Sequence, residues 1–387
     1  NQLAGISASN GMKFLVSRQC DDCNGLVAFV TYVLPESDAA AKGIERGDFI
    51  TTINGTSLNV NNYIDLLYGD ALSYSVGLAD YDPTEESFDL TGETITLDKV
   101  ENFQEDPIHK NLVLDVGGQK VGYLMYNKFL NEFDDQLIQT FSDFAAEGIT
   151  DLVLDLRYNP GGSVRTCVYL ASMITGQFTD EIFAQQIWNS KLLAYFEALN
   201  SNSNDSDDRE LNNYFTSTNS EGVTLPALNL NTVYIIATNR SASASELLIN
   251  GLAPHINVVL IGNTTTGKNV GSITVYDYID NEGNKNPNHT YAMQPIVLKI
   301  ANSVGFADYA NGLDPDIELR ERASNLGVLG TPSEPLLSVA LSQISGTGKY
   351  IIPQGEALVP LTDPEFEATN GMHIDLPQST LKDFLKN

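Results

Sequence analysis

The spacing of hydrophobic and polar positions changes near residue 106. Before it, short runs rich in β-branched and aromatic residues are separated by turn residues; after it, apolar strand-like runs alternate with stretches of helical period. In the first region Met12–Val16 and Leu26–Val30 read as strands flanking the polar turn Ser17–Gly25, the pattern of a hairpin. An alanine-rich stretch stopped at Gly43 reads as a short helix, and Asp48–Ile53 leads as a strand into the tight Asn54-Gly55 turn. In the second region Lys120–Tyr126, Asp151–Arg157, Val233–Ala237 and Val258–Ile261 read as strands. Asp134–Glu147, with Leu137, Ile138, Phe141 and Phe144 on one face, reads as an amphipathic helix, Val164–Ile174 as an apolar one, and Glu246–Leu252 has helical composition. This alternation predicts an α/β core around a parallel sheet. Ile187-Trp188 and Leu192–Leu199 read as helical and Asn200–Asp208 as an exposed loop; Ile273–Tyr276 and Gln294–Ile300 read as strands, and Glu334–Ile344 as a closing helix.

Candidate chemistry gathers after the strand Val233–Ala237, where the chain reads Asn-Arg-Ser-Ala-Ser-Ala-Ser-Glu from Asn239 to Glu246. A strand feeding a sharp turn of small residues and then a helix exposes a hydroxyl at the helix N-terminus, where free N–H groups stabilise negative charge. A serine hydroxyl needs a base before it attacks a carbonyl. The four histidines, His109, His255, His289 and His373, stand in no Gly/Ser-rich turn. Lys268 stands between Gly267 and Asn269, after the strand Val258–Ile261 and at the same end of the expected sheet. A desolvated lysine loses its proton readily and can serve as the base of a Ser-Lys pair. A second motif, Asp155-Leu-Arg-Tyr-Asn-Pro-Gly-Gly162, places glycines at a strand-to-helix junction, where backbone N–H groups can approach an oxyanion. Asp155 and Arg157 read as braces of that turn.

Together these stretches resemble the carboxy-terminal processing (tail-specific) serine proteases. The resemblance places the nucleophile 25 residues before the lysine, at Ser243. It implies an oxyanion hole from the backbone N–H groups of Gly162, or Gly161, with Ala244. Where the family usually carries a Gln to orient the lysine, four residues after it, this chain has Ser272. Lys42-Gly43 through Asp48-Phe49-Ile50 is similar to a PDZ signature, and Gly312–Ile317 to a Pro-Asp stretch near the end of the family's core. The implied organisation is an N-terminal segment 1–8, a small β-rich PDZ-like domain 9–105, a crotonase/ClpP-like α/β protease core 106–345, and a C-terminal tail 346–387 with no legible role. In a PDZ domain a peptide adds a strand to the sheet edge and a glycine-containing loop holds its carboxylate. By resemblance the peptide-binding residues are Gly11, Met12 and Phe14 on the loop, with Tyr63, Leu66 and Leu67 on the helix Asn61–Tyr68. The expected partners are protein or peptide substrates with free carboxy termini, and no metal or other cofactor is implied.

Composition narrows this further. The 387 residues carry 21 Lys+Arg against 50 Asp+Glu, a formal charge of −29, which repels phosphate backbones and argues against nucleic-acid and anionic-membrane partners. No apolar run reaches the roughly 18 residues of a transmembrane segment. The start has no signal-peptide pattern and reads as that of a mature or truncated chain. Cys20 and Cys23 form a lone Cys-Asp-Asp-Cys, two ligands short of a zinc site, and read as a small disulfide at a hairpin tip; Cys167 reads as core. With the family analogy this points to the cell envelope (periplasmic or lipid-anchored) or to secretion. Ser272 in place of Gln keeps a second reading open, a non-catalytic peptide- or ligand-binding protein on the same fold. A third is an extracellular adhesion scaffold.

Overall fold

Arg46 decides how the chain divides. Its guanidinium donates to the carbonyls of Thr31 (2.7 Å), Leu326 (2.9 Å) and Gly327 (3.1 Å) and pairs with Glu321 at 2.6 Å, both side chains largely buried. A buried ion pair is tolerated only when further hydrogen bonds satisfy it, and here they come from a segment almost three hundred residues away. Residues 317–369 therefore join residues 1–110 as one unit, while 111–316 and 370–387 form the other. The first break falls after Lys110, and residues 317–345, expected in the core, lie with the first unit. The computed structural model describes residues 5–20, 22–202, 211–280, 284–348, 359–374 and 376. Ser203–Asp208 of the expected loop and much of the stretch after Gly346 lie outside the described residues.

In the first unit Met12–Arg18, Leu26–Val33, Phe49–Ile53, Ser73–Asp82 and Ser87–Asp98 form an antiparallel sheet in that order. Val16, Ala28, Val30, Ile50, Ile53, Val76 and Leu97 build its core. Asn54 (φ 50°) and Gly55 (φ 74°) both take the left-handed conformation that a two-residue hairpin turn demands. Ser37 caps the short helix Asp38–Ala41, its hydroxyl accepting from the Ala40 N–H at 3.2 Å. Cys20 and Cys23 lie at the hairpin turn as free thiols, without the expected disulfide, and Cys167 is buried.

In the second unit Gln119–Tyr126, Asp151–Asp155, Thr232–Ala237 and Asn257–Gly262 pair in parallel in that order. Their near-continuous apolar runs suit strands buried on both faces. Asp134–Glu147 buries Leu137, Phe141 and Phe144 and ends at Gly148 in the left-handed conformation. A second sheet contains Ile182–Trp188, Ile296–Asn302, Val270–Ile273 and Met372–Ile374. Ile187-Trp188 is thus strand, not helix: Ile187 is 49% exposed while Trp188 is buried, the alternation of a strand paired with Lys299 and Leu298. Met372–Ile374, within the stretch read as a tail, lies parallel to Val270–Ile273.

Candidate active site

Three serines, Ser241 and Ser243 in the turn after the strand Thr232–Ala237 and Ser245 in the first turn of the helix Ala244–Leu252, are all wholly buried. Ser241 Oγ donates to the Leu156 carbonyl (2.7 Å) and accepts the Thr238 N–H (2.9 Å). Ser245 Oγ donates to the Asn159 carbonyl at 3.0 Å. Ser243 Oγ makes no hydrogen bond within ordinary limits and has only the looser capping-box contact with the Glu246 N–H. Its backbone is also unusual, at φ 60° and ψ −108°, a region that non-glycine residues rarely adopt and that stores strain. The turn thus presents one loosely held hydroxyl at the start of a helix.

The glycine motif is stitched to this turn through Asn159. Its amide nitrogen donates to the Tyr126 carbonyl (2.8 Å), its Oδ1 accepts the Gly161 N–H (2.8 Å), and its carbonyl accepts the Ala242 N–H (3.1 Å). Below it Arg157 and Asp155 form a fully buried pair at 2.7 Å, joined by the Tyr123 hydroxyl at 2.8 Å, which makes them braces of the turn. Gly161 has φ 105°, and a Cβ there would lie 2.8 Å from Ser243 Cβ and 2.9 Å from the Ala244 nitrogen, so only glycine permits the approach. The Gly161 N–H is consumed by Asn159. That of Gly162 has no acceptor among the described residues, and that of Ala244, the first residue of its helix, lacks an intrahelical one.

Glu246, three residues beyond Ser243, ties the serine turn to the lysine loop. Its buried carboxylate accepts the Ser243 and Lys268 backbone N–H groups on Oε2, both at 2.8 Å, and the Thr265 hydroxyl (2.5 Å) and Gly267 N–H (2.6 Å) on Oε1. The two backbone nitrogens on Oε2 are therefore no further apart than twice that distance. The Lys268 amine donates to Asn370 Oδ1 at 2.9 Å. Ser272, expected to orient that amine, instead donates its hydroxyl to the Met372 carbonyl at 3.1 Å. Ser243 and Lys268 are thus brought together through their backbones, while the hydrogen bond between hydroxyl and amine is not made. Catalytic hydrogen bonds often form only once substrate is bound. Sequence reasoning missed both Glu246 and Asn370; the Ser-x-x-Glu spacing of a capping box could have flagged the first, and nothing local flags the second.

Residues 120–319, just over half of the chain, match peptidase family S41. The chain belongs to peptidase family S41. Among similar proteins, this S41 chain is 25% identical over 273 residues to the carboxyl-terminal-processing protease of Picosynechococcus, covering 69% of this chain and 55% of that one. It is 26% identical over 309 residues to the chloroplastic C-terminal processing peptidase of Tetradesmus obliquus, covering 77% and 58%. A putative S41 protease from Bacteroides fragilis superposes with a TM-score of 0.69 at 27% identity, over 88% of this chain and 86% of that one. The mixed α/β architecture is therefore that of the S41 proteases, a serine protease family; the match spans little more than half the length of the two sequence relatives.

Beside the site, a hollow of about 460 Å³ opens along the helix Val164–Thr175, lined by Val164, Val168, Tyr169, Asn213, Phe215 and Ile374. Asp134 packs near the start of that helix, accepting from the Thr166 hydroxyl at 2.6 Å; burial pushes its carboxyl up to about 6, against the opposing pull of Thr166 and Arg165. Among the described residues no three His, Cys, Asp or Glu cluster as metal ligands do, and no helix is long and apolar enough to cross a membrane.

The peptide-binding candidates of the first unit fall into two groups. Met12, Tyr63 and Leu67 are buried in that unit's core, with Phe14 and Leu66 packed against it. The N–H groups of Gly11 and Met12, which the resemblance would aim at a carboxylate, donate to Ser9 Oγ (3.0 Å) and Asn10 Oδ1 (3.1 Å). The loop as folded offers neither group to a ligand. The chain's own C-terminal stretch meets this face: Leu361 N–H donates to the Val16 carbonyl (2.7 Å), and the Tyr63 hydroxyl to the Thr362 carbonyl (3.1 Å).

Proposed function

We propose that this S41 chain is a serine endopeptidase that cleaves proteins near their carboxy-terminal ends with a Ser243–Lys268 dyad. One observation carries the reading: of three buried serines at this turn and helix start, two are firmly hydrogen-bonded, while Ser243 has only the loose capping-box contact and a strained backbone. A buried hydroxyl without a full hydrogen bond costs up to about 1–3 kcal/mol, and a residue in so sparse a backbone region a further ~1–3 kcal/mol. A turn that merely started a helix would carry neither burden.

In this reading Ser243 Oγ attacks the scissile carbonyl as Lys268, uncharged, takes its proton. The Gly162 and Ala244 N–H groups hold the oxyanion; Gly161, engaged by Asn159, serves by its lack of a side chain. Collapse of the tetrahedral adduct breaks the C–N bond, and the lysine returns the proton to the leaving amine. Water, deprotonated by the same lysine, then releases the acyl group from Ser243. No cofactor enters this scheme. The core would be of the crotonase/ClpP-like type. The first unit would act as a PDZ-like receiver of the substrate tail, and the Val16 carbonyl accepting from Leu361 supports an edge able to take an extended chain. An extracytoplasmic address, in the cell envelope or secreted, belongs to the same reading.

The non-catalytic alternative is favoured by the hydrogen bond that Ser243 and Lys268 do not make. A fluorophosphonate probe separates the two. We expect it to label the wild type, to leave Ser243→Ala unlabelled, and to react with Lys268→Ala roughly 10²- to 10⁴-fold more slowly, the contribution of a general base. A folded wild type that resists the probe and cleaves no unfolded protein would establish the binder instead.

A further inference from the structure

We infer that Asn370, from the C-terminal stretch, is the positioning residue for the Lys268 amine. The inference rests on the protease reading above and assigns to a remote residue the orienting role that position 272 does not fill. Two hydrogen bonds argue for the exchange: Asn370 Oδ1 accepts from Lys268 Nζ at 2.9 Å, while Ser272 Oγ is turned to the Met372 carbonyl at 3.1 Å.

Asn370 is placed by more than this one contact. It is 6% exposed, and the strand two residues on is paired in register, Gly271 with Met372 and Ser272 with His373. The His373 N–H donates to the Gly162 carbonyl at 3.0 Å. One short segment thus touches the lysine, the strand beyond it and the glycine turn. A Cβ at Gly371 would lie 4.0 Å from Nζ, in ordinary contact, so the segment passes directly beside the amine.

The chemistry of an amide oxygen suits the task. A lysine side chain ends in a rotor, and a general base works only when its lone pair faces the proton to be taken. An acceptor fixed on one N–H stops that rotation and leaves the lone pair to be aimed at the serine. Being uncharged, an amide does so without the full attraction that a carboxylate exerts on an ammonium group. Asn370 thereby orients the amine yet lets it remain a base.

The test measures probe labelling and peptide hydrolysis against pH for the wild type, Asn370→Ala, Asn370→Asp and Ser272→Ala, with thermal unfolding of each. Asn370→Ala is expected to lower kcat roughly 10- to 100-fold, the scale on which a misaligned catalytic group loses rate, with KM nearly unchanged. Asn370→Asp is expected to move the acid limb of kcat/KM to higher pH by about one unit, because a carboxylate favours the protonated amine. Ser272→Ala should stay within about twofold of the wild type. Wild-type rates and pH profile in folded Asn370→Ala would overturn the assignment, as would a loss in Ser272→Ala equal to that in Asn370→Ala. If Asn370→Ala does not fold, the nearly isosteric Asn370→Asp decides, an unmoved acid limb being the adverse result. A wild type that never labels would overturn the protease reading itself, and the assignment with it.

Discussion

Ser243 and Lys268 are held by different kinds of structure. Around the serine, Thr238, Ser241, Ala242 and Ser245 bond to one another or to Leu156–Asn159, which is 85 to 86 residues earlier for Ser241 and Ser245 but follows the strand paired directly with theirs. The lysine amine instead meets a residue 102 positions away, brought in by a strand at the far end of the chain. The serine turn is therefore set once the loops after two adjacent strands have formed. The lysine amine waits on the last strand of the sheet, which also reaches the glycine turn through the His373 N–H.

Glu246 bonds to both loops, and its removal should have the largest effect on stability. Glu246→Ala leaves the buried Ser243 N–H and Thr265 hydroxyl and the part-buried Gly267 and Lys268 N–H groups without their acceptor, and should destabilise the protein by about 3–5 kcal/mol, read from denaturant unfolding. Labelling of Ser243 should fall with it. A Glu246→Ala variant as stable as the wild type would mean that the loops are held independently, and the comparison would lose its hinge.

Two glycines sharpen the contrast at lower cost. Gly161→Ala puts a Cβ 2.8–2.9 Å from backbone and Cβ atoms of residues 242–244 at φ 105°, and should cost about 2–4 kcal/mol from strain and overpacking. At Gly371 the nearest atom to an added Cβ is the flexible end of Lys268, 4.0 Å away, so Gly371→Ala should change stability by less than about 0.5 kcal/mol. Equal losses at the two positions, measured by thermal unfolding, would show the lysine side to be packed as rigidly as the serine side.

The same difference governs what could be read without coordinates. The serine-rich turn, the glycine turn and the parallel strands that carry them follow from local pattern: apolar runs of strand length, small residues at the junctions, and helices behind them; the choice of Ser243 among the three serines comes from the resemblance. Asn370 has no such signature, because its role comes from pairing two segments a hundred residues apart. Arg46 likewise draws Leu326 and Gly327 into the first unit through carbonyls, which carry no side-chain identity for a sequence to display. The Gly11 loop failed for a different reason. A glycine there does signal a left-handed turn, at φ 85°, but not that Ser9 and Asn10 would claim its N–H groups.

Asp134 offers the smallest effect and a check on the pH argument. Its carboxyl is pushed up to about 6 by burial, above the roughly 3.9 of an unfolded chain. Between those values the folded state holds a proton that the unfolded chain gives up. The resulting stability is fully present below about pH 4 and is lost as pH rises through 6. Asp134→Asn keeps an oxygen for the Thr166 hydroxyl and removes the buried charge, so at pH 8 it should unfold a few degrees above the wild type, the gap closing toward pH 4. A variant less stable than wild type at pH 8 would mean that the Arg165 guanidinium, 3.7 Å from the carboxylate, outweighs burial. Because Asp134 titrates in the range where a lysine base could also lose activity, the two must be told apart. Asp134→Asn should move stability and leave the pH profile of Ser243 labelling in place, whereas Asn370→Asp should move that profile.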